Sequence, residues 1–297
     1  MKKVLKKLAL LMLAVSMTVP AASALNMPQA SVAEAASTQK LTLYVGEKYD
    51  ILSAKSVKSS KKSVVKAGTD TSGSTIQRYL IAKKAGTATV TVKGKYGGTT
   101  KYKVTVKKNQ CKPTLSWTDN GEVLVTVTNG SPQIFDEIDV KYTLKTSTGS
   151  VYEEKEISIS NVLSKKKGYR TIYLGSKADV DLDQSSVKVT GVFHYPNYTY
   201  KNITSKIKLS TEETAASQQI ELSITGKNTT NSYTNGQVYI LMKDASDNLI
   251  GVETAYLSMS KKATETTTKT IPVNSNYSYP NYDHYELVAG YYSKTYK

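Results

Sequence analysis

The chain has 297 residues and a formal net charge of +16, from 40 Lys and Arg against 24 Asp and Glu. Its single cysteine, Cys111, excludes an internal disulfide, and two histidines cannot build a three-histidine zinc centre. Glycine-rich phosphate-binding loops are missing as well. We therefore predict a protein that is not an enzyme and that needs no cofactor and no metal.

Residues 1–36 have the pattern of a signal peptide. Four lysines near the start precede the apolar run 8–15, which is too short to span a bilayer. Two small-x-small cleavage sites follow, at 22–24 and 33–35, and the second would start the mature chain near Ala36 or Ser37. An uncut N-terminal membrane anchor is the alternative. We expect a secreted protein without a transmembrane segment in its mature form.

The sequence after the signal peptide has the two-residue periodicity of β-strands. Val123, Val125 and Val127 alternate with polar residues, and the same alternation continues through 138–144. Asn120-Gly121, which lies between two such runs, is a strong hairpin signal. Amphipathic helical stretches of useful length are missing. The predicted fold class is all-β, with tandem Ig-like β-sandwich modules.

Residues 38–107 contain a specific series of strand and turn motifs. Leu41-Thr-Leu-Tyr-Val-Gly46 comes first, Ser59-Ser-Lys-Lys-Ser-Val-Val-Lys66 second, and Tyr79-Leu-Ile-Ala-Lys-Lys-Ala-Gly-Thr-Ala-Thr-Val-Thr-Val92 third. Tyr102-Lys-Val-Thr-Val-Lys107 closes the series. In this order the motifs resemble the bacterial Ig-like group 2 family. That resemblance implies a small β-sandwich module of a bacterial surface protein.

The second half of the chain repeats itself. Asp139–Lys145 aligns with Gln237–Lys243, and at the same offset Gly149-Ser-Val151 aligns with Asp247-Asn-Leu249. The order of strands and turns matches at low identity, which indicates a duplicated unit of just under a hundred residues. The run from Phe135 to Gly149 also resembles small extracellular domains of the FxLYD type, on few residues.

Polar segments at 107–113 and 210–218 suggest where the modules begin and end. The predicted division is the signal peptide 1–36, the bacterial Ig-like module 37–108, the first repeat copy 109–211 and the second repeat copy 212–297.

Positive charge is concentrated in the first predicted module. Residues 37–108 hold fifteen Lys and one Arg against three acids, a net charge of 16 − 3 = +13, whereas residues 109–297 hold twenty basic and twenty acidic side chains. A solvated, solubilising face is one interpretation. The other is a surface for anionic cell-envelope polymers or surface glycans, because lysines give a diffuse attraction. The candidate polyanion-binding residues are Lys58, Lys61, Lys62, Lys66, Lys83 and Lys84. The shortage of Arg and the export signal argue against nucleic acid.

Tyrosine is used 22 times, against two Phe and one Trp. Strand pairing explains many of these residues, because tyrosine is a good strand former with a polar tip. Some of them are also candidates for a platform that contacts a sugar or a protein. The candidate platform residues are Tyr195, Tyr198, Tyr277, Tyr279 and Tyr282. Trp117 is predicted to be a core residue.

The remaining chemistry-bearing residues form no recognisable site. His194 and His284 lack a nucleophile in a suitable arrangement, and Glu153, Glu154 and Glu156 fit a solvated strand face. Asp179-Val-Asp-Leu-Asp183 is more typical of a polar turn than of a calcium loop, because the required glycine and glutamate are missing. Cys111 fits a buried or incidental thiol better than intermolecular pairing.

These observations predict a secreted Ig-like protein associated with a bacterial cell surface. It would act in adhesion, envelope association or spacing, with the basic module on a polyanion and protein partners as a further option. The alternative is a carbohydrate-binding protein that uses the Tyr-rich C-terminal module.

Overall fold

The computed structural model describes residues 37–72, 76–174, 179–216, 219–272 and 282–296. The predicted signal peptide, 1–36, lies outside these ranges, as do Tyr277 and Tyr279. The described residues form twenty β-strands and one short 3-10 helix, Thr204–Lys206. The predicted all-β fold class is therefore confirmed, and the strands form tandem β-sandwiches.

We call β1–β7 module 1, β8–β13 module 2 and β14–β20 module 3. Module 1 contains β1 (Ser37–Tyr44), β2 (Lys48–Ile51), β3 (Ala54–Ser59), β4 (Val65–Asp70), β5 (Gln77–Ala82), β6 (Gly86–Gly94) and β7 (Thr99–Lys107). Module 2 contains β8 (Cys111–Trp117), β9 (Val123–Asn129), β10 (Phe135–Lys145), β11 (Val151–Val162), β12 (Lys167–Ile172) and β13 (Asp181–Phe193). Module 3 contains β14 (Tyr198–Asn202), β15 (Ile207–Ala216), β16 (Gln219–Asn228), β17 (Asn235–Lys243), β18 (Leu249–Tyr256), β19 (Thr264–Pro272) and β20 (His284–Tyr296).

Module 1 is a sandwich of a four-stranded sheet, β1-β7-β6-β3, and a three-stranded sheet, β2-β5-β4. Strand β1 runs parallel to β7, whereas the other pairs are antiparallel. Ala88, Val90 and Val92 of β6 alternate with exposed or half-buried residues and join Leu41 and Leu80 in one core. The two-residue alternation therefore sets which face of each strand enters the core.

Modules 2 and 3 have the same topology. Sheet β11-β10-β13 of module 2 corresponds to β18-β17-β20 of module 3, and β12-β9-β8 corresponds to β19-β16-β15. The turn after β10 also matches the turn after β17: Gly149 and Asp247 both have left-handed backbone, at φ 83° and 67°. In each turn that residue donates its N–H to a carbonyl three residues back, of Thr146 or Asp244. Module 3 adds β14, which pairs with β20.

The predicted boundary between residues 211 and 212 falls inside β15. Strand β15 pairs with β16, and β14, earlier in the chain, pairs with β20. The strands of module 3 therefore begin at Tyr198. The segment 210–216 is polar because most of β15 is exposed at the edge of its sheet, and this composition had suggested a module boundary.

Neighbouring modules share apolar contacts. Tyr44 of β1 is buried in the core of module 2, where its ring meets Phe135 edge-on at 5.2 Å. Leu124 of module 2 packs with Tyr239 and Leu241 of module 3 in a separate cluster. Trp117, by contrast, is 44% exposed on the edge strand β8, so its prediction as a core residue is wrong.

Candidate binding surfaces

The outward face of the four-stranded sheet of module 1 combines lysines with hydroxyl side chains. In the strand register, Lys40 of β1 lies beside Lys103 of β7, and Lys58 and Lys101 both pair with Thr91. Paired residues share a face, and neighbouring strands are about 5 Å apart, so these side chains form one surface. We call it the lysine–threonine face. It consists of Thr38, Lys40, Thr42, Ser56, Lys58, Thr87, Thr89, Thr91, Lys93, Lys101, Lys103 and Thr105.

The three acids of module 1 lie away from this face. Glu47 is buried at the junction with module 2, and Asp50 and Asp70 belong to the other sheet. All fifteen lysines of residues 37–108 are exposed. Within the described ranges of this module, none of them comes within 4.0 Å of a carboxylate oxygen. The positive charge is therefore directed at solvent and is left uncompensated on one face.

The six lysines predicted from sequence do not form one site. Lys83 donates its backbone N–H to the Val64 carbonyl at 2.8 Å, which brings the turn that holds Lys83 and Lys84 next to the turn that holds Lys61 and Lys62. These four side chains are exposed at one end of the module. Lys58 lies instead on the lysine–threonine face.

Lys66 lies on the other sheet, beside Ile81. The sequence analysis missed Lys40, Lys93, Lys101 and Lys103. The alternation in Thr-Lys-Tyr-Lys-Val-Thr-Val could have shown that Lys101 and Lys103 share a face. Lys40 joins the lysine–threonine face because β1 pairs in parallel with β7, and no local sequence pattern indicates that pairing.

A buried contact between a carboxylate and an imidazole joins modules 1 and 2. Oε1 of Glu47 lies 2.6 Å from Nδ1 of His194, and both side chains are at most 5% exposed. Oε2 accepts the backbone N–H of Tyr44 at 2.8 Å, and Oε1 also accepts that of His194 at 3.3 Å. Burial raises the pKa of Glu47, and its hydrogen bonds with His194 oppose that rise. His194 therefore has a structural role at the junction.

The predicted tyrosine platform is divided between the two ends of β20. Tyr195 and Tyr198 pack edge-on at 5.8 Å, and Lys294 lies 4.5 Å from the centre of the Tyr195 ring. Tyr198 pairs with Tyr296 at the C-terminal end of β20, whereas Tyr282 immediately precedes the N-terminal end of that strand.

The thirteen residues of β20 place these ends about 40 Å apart, so Tyr282 is not in one surface with Tyr195. Tyr282 is half-buried against the core of module 3. Tyr277 and Tyr279 lie outside the described residues.

A second set of tyrosines lines a cleft of about 280 Å³ between modules 2 and 3. Tyr173 and Tyr256 are more than half exposed at this cleft, and Tyr169 and Tyr239 pack edge-on at 5.0 Å within it. We call it the tyrosine cleft. Its polar lining includes Arg170, Thr171, Gln237, Glu253, Thr254 and Lys269.

Some polar groups of the tyrosine cleft already contact one another. Glu253 accepts a hydrogen bond from Tyr173 at 3.2 Å and pairs with Lys269 at 2.7 Å. Gln237 is buried, and its Oε1 has no hydrogen-bond partner among the described residues. Exposed aromatic rings beside fixed polar groups give a cleft that can bind a polar ligand with a flat apolar face.

Three of the carboxylates considered in the sequence analysis, Glu153, Glu154 and Asp181, bind nearby side chains or backbone groups. Glu153 accepts the Tyr142 hydroxyl at 2.8 Å, and Glu154 pairs with Lys141 at 2.5 Å. Asp181 accepts the backbone N–H of Asp183 at 2.9 Å, a hydrogen bond typical of a polar turn. Burial raises the pKa of the Cys111 thiol to about 12, which keeps it protonated and unreactive at neutral pH.

Among the residues that the structure describes, no helix is long and apolar enough to cross a membrane. No family model matches the sequence, and no curated protein matches it either. The likeness to the bacterial Ig-like group 2 family therefore stays an expectation.

Two solved structures show low similarity. One is the tetra-tandem repeat in the extending region of a large adhesion protein, at 14% identity, 85% coverage of this chain, 74% of that chain and a TM-score of 0.16. The other is the N-terminal CBM22-1-CBM22-2 tandem domain of Xyn10C from Paenibacillus barcinonensis, at 8% identity, 89% and 92% coverage and a TM-score of 0.11. At these TM-scores neither carries an argument about this chain.

Proposed function

We propose that this protein is a secreted, non-enzymatic binding protein of a bacterial cell surface and that module 1 holds it to anionic envelope polymers. The lysine–threonine face is the observation that carries this proposal, because it presents five lysines without a carboxylate. At physiological ionic strength the field of a charge decays over about 8 Å. Lysines about 5 Å apart on neighbouring strands therefore act together on a polymer that lies along the sheet.

Binding to poly(glycerol phosphate), a phosphodiester polymer, tests the proposal, with uncharged dextran as the negative control. The variant Lys40→Glu/Lys103→Glu reverses two directly opposite lysines on the face. We expect at least about tenfold weaker binding at 0.1 M salt and a shallower dependence of affinity on salt, by about 0.7 in log–log slope for each lost contact.

Module 3 offers a matched control. Lys208 and Lys227 are also exposed and directly opposite on neighbouring strands, so Lys208→Glu/Lys227→Glu makes the same change of charge elsewhere. Equal losses in both variants would show that net charge alone matters and would defeat the assignment to the face. Polymer binding that is insensitive to salt would defeat the proposal as a whole.

The tyrosine cleft favours a second candidate function, the binding of a saccharide. A volume of about 280 Å³ suits one sugar ring, with Tyr173 or Tyr256 against its apolar face and Arg170 beside its hydroxyl or carboxylate groups. Glycan-array binding that Tyr173→Ala/Tyr256→Ala abolishes, and that Tyr195→Ala/Tyr198→Ala leaves intact, would support this candidate. Loss of binding only in the second variant would favour the surface predicted from sequence.

A further inference from the structure

Three turns at one end of module 1 present large apolar side chains to solvent. Leu52 follows β2, Ile76 precedes β5 and Tyr96 lies between β6 and β7. Their exposed fractions are 87%, 63% and 88%, and those of Leu52 and Tyr96 exceed those of all other large hydrophobic side chains in the described ranges. We call these three residues the apolar tip. Single exposed apolar residues are ordinary, but three on adjacent turns form a patch.

Hydrogen bonds connect the strands and turns around the tip. The N–H of Lys95 donates to the Ser53 carbonyl at 2.8 Å, which ties the β6–β7 turn to the β2–β3 turn. Arg78 Nε donates to the Ala54 carbonyl at 3.2 Å and ties β5 to β3. Leu52, Ile76 and Tyr96 all line one groove of about 630 Å³, which shows that the three side chains lie close together.

Cationic side chains surround the apolar tip. Lys55, Arg78 and Lys95 line the groove, and Asp50 is the one acid among its described lining residues. The module as a whole carries an excess of thirteen positive charges. An apolar patch ringed by cations complements the surface of an anionic bilayer, where apolar side chains enter the acyl boundary and cations meet the headgroups.

The tip lies at the end of module 1 that is remote from module 2. Strand β7 runs from Thr99, beside the tip, to Lys107, where the chain continues into module 2. The tip is therefore at the opposite end of module 1 from Glu47 and the junction with module 2.

We propose that the apolar tip inserts Leu52, Ile76 and Tyr96 into the interface of an anionic lipid bilayer. This contact goes beyond the binding of envelope polymers and does not depend on the lysine–threonine face. Lysines attract the module to the negative surface over a distance of about one Debye length. Burial of the apolar side chains then holds the module at ionic strengths that remove purely electrostatic binding.

Sedimentation with vesicles of phosphatidylglycerol and phosphatidylcholine at 0.3 M salt tests the proposal. We expect Leu52→Ser/Tyr96→Ser to bind these vesicles at least about tenfold more weakly than the wild type. The matched control is Val151→Ser/Tyr233→Ser, which removes an exposed aliphatic and an exposed tyrosine side chain from modules 2 and 3. Equal binding by the tip variant and the wild type would overturn the proposal.

A fluorescence measurement separates insertion from other contacts. In Leu52→Trp/Trp117→Phe the single tryptophan reports on the tip, and we expect its emission to shift to shorter wavelength with anionic vesicles but not with poly(glycerol phosphate). The absence of a shift with vesicles, or a shift only on self-association at high protein concentration, would overturn lipid insertion. The tip variant should keep its polymer binding. A negative result with vesicles would therefore leave the proposed polymer binding intact, and a negative result with the polymer would leave lipid insertion intact.

Discussion

Glu47 and His194 connect two modules through a contact of 2.6 Å between Oε1 and Nδ1. The two residues are 147 positions apart, and each is nearly excluded from solvent. Backbone N–H groups from Tyr44 and His194 also reach the carboxylate. Removal of one partner of such a pair leaves a buried charge without compensation, which costs more than the pair itself contributes.

We expect His194→Ala to lower the free energy of unfolding by about 3 kcal/mol at pH 8. The loss should be smaller at pH 5, because burial already raises the pKa of Glu47 and the carboxyl can take up a proton once His194 is gone. Urea denaturation at both pH values measures this. In the double variant Glu47→Gln/His194→Ala the cost at pH 8 should fall below that of His194→Ala alone. A cost that does not change with pH would contradict this role of the pair.

Two buried asparagines occupy corresponding places in modules 2 and 3. Asn129 at the end of β9 and Asn228 at the end of β16 each accept a backbone N–H two residues ahead and donate to a carbonyl four residues ahead. Each also donates to the connection that leads into a paired strand, at Leu163 before β12 or at Ser260 before β19. We expect Asn129→Ala and Asn228→Ala each to cost about 2 kcal/mol, because buried polar groups lose their partners.

Chemical denaturation compares these variants with Asn248→Ala, whose side chain is exposed and donates to Asp244. The control should cost less than about 0.5 kcal/mol. A large cost in one module and none in the other would show that the two carboxamides are not equivalent.

The repeat, the strand content and the hairpin at Asn120-Gly121 followed from local pattern alone. Gly121 has the left-handed φ of 78° that such a turn needs, and β8 and β9 pair across it. Trp117 was assigned to the core because of its residue type. Its side chain is instead partly exposed, because β8 lies at the edge of a sheet. Tyr282 and Tyr195 were grouped by composition, but the length of β20 separates them.

The pairing of strands that are distant in the chain could not be predicted from the sequence. Lys40 and Lys103 meet only because β1 runs parallel to β7, and the 62 residues between them carry no sign of that register. The tyrosine cleft arises in the same way, from the packing of modules 2 and 3. Periodicity therefore predicts faces of single strands, and surfaces built from several strands require the fold.

Glu122 provides a pH-dependent prediction at the contact between modules 2 and 3. Burial, together with the charge of Glu253, raises the pKa of Glu122 from 4.5 to about 7. A carboxyl with a raised folded-state pKa binds more protons when folded, so its favourable contribution is complete below pH 4.5 and is lost as pH rises through 7.

We expect the free energy of unfolding of Glu122→Gln to equal that of the wild type near pH 4 and to exceed it by about 1 kcal/mol at pH 8. The expected difference is small because the Glu122 side chain is half exposed, so that solvent screens its charge. Thermal or urea denaturation across this pH range measures the difference. The exposed Glu265→Gln serves as the control. Destabilisation by Glu122→Gln at pH 8 would reverse the predicted sign.

The two lysine groups of module 1 differ in a way that polymer binding can measure. Lys101 and Lys103 lie on a strand in the middle of a sheet, with Lys40 and Lys58 within two strands on the same face. Lys61 and Lys62 lie in a turn and have Lys83 and Lys84 beside them. Because screening leaves only close charges effective, the extended face should hold a linear polyanion along more of its length than the turns can.

We expect Lys101→Glu/Lys103→Glu to weaken binding to poly(glycerol phosphate) several-fold more than Lys61→Glu/Lys62→Glu, although both variants change the net charge by the same amount. The reverse order would assign polymer binding to the end of the module next to module 2, which holds four of the six lysines predicted from the sequence.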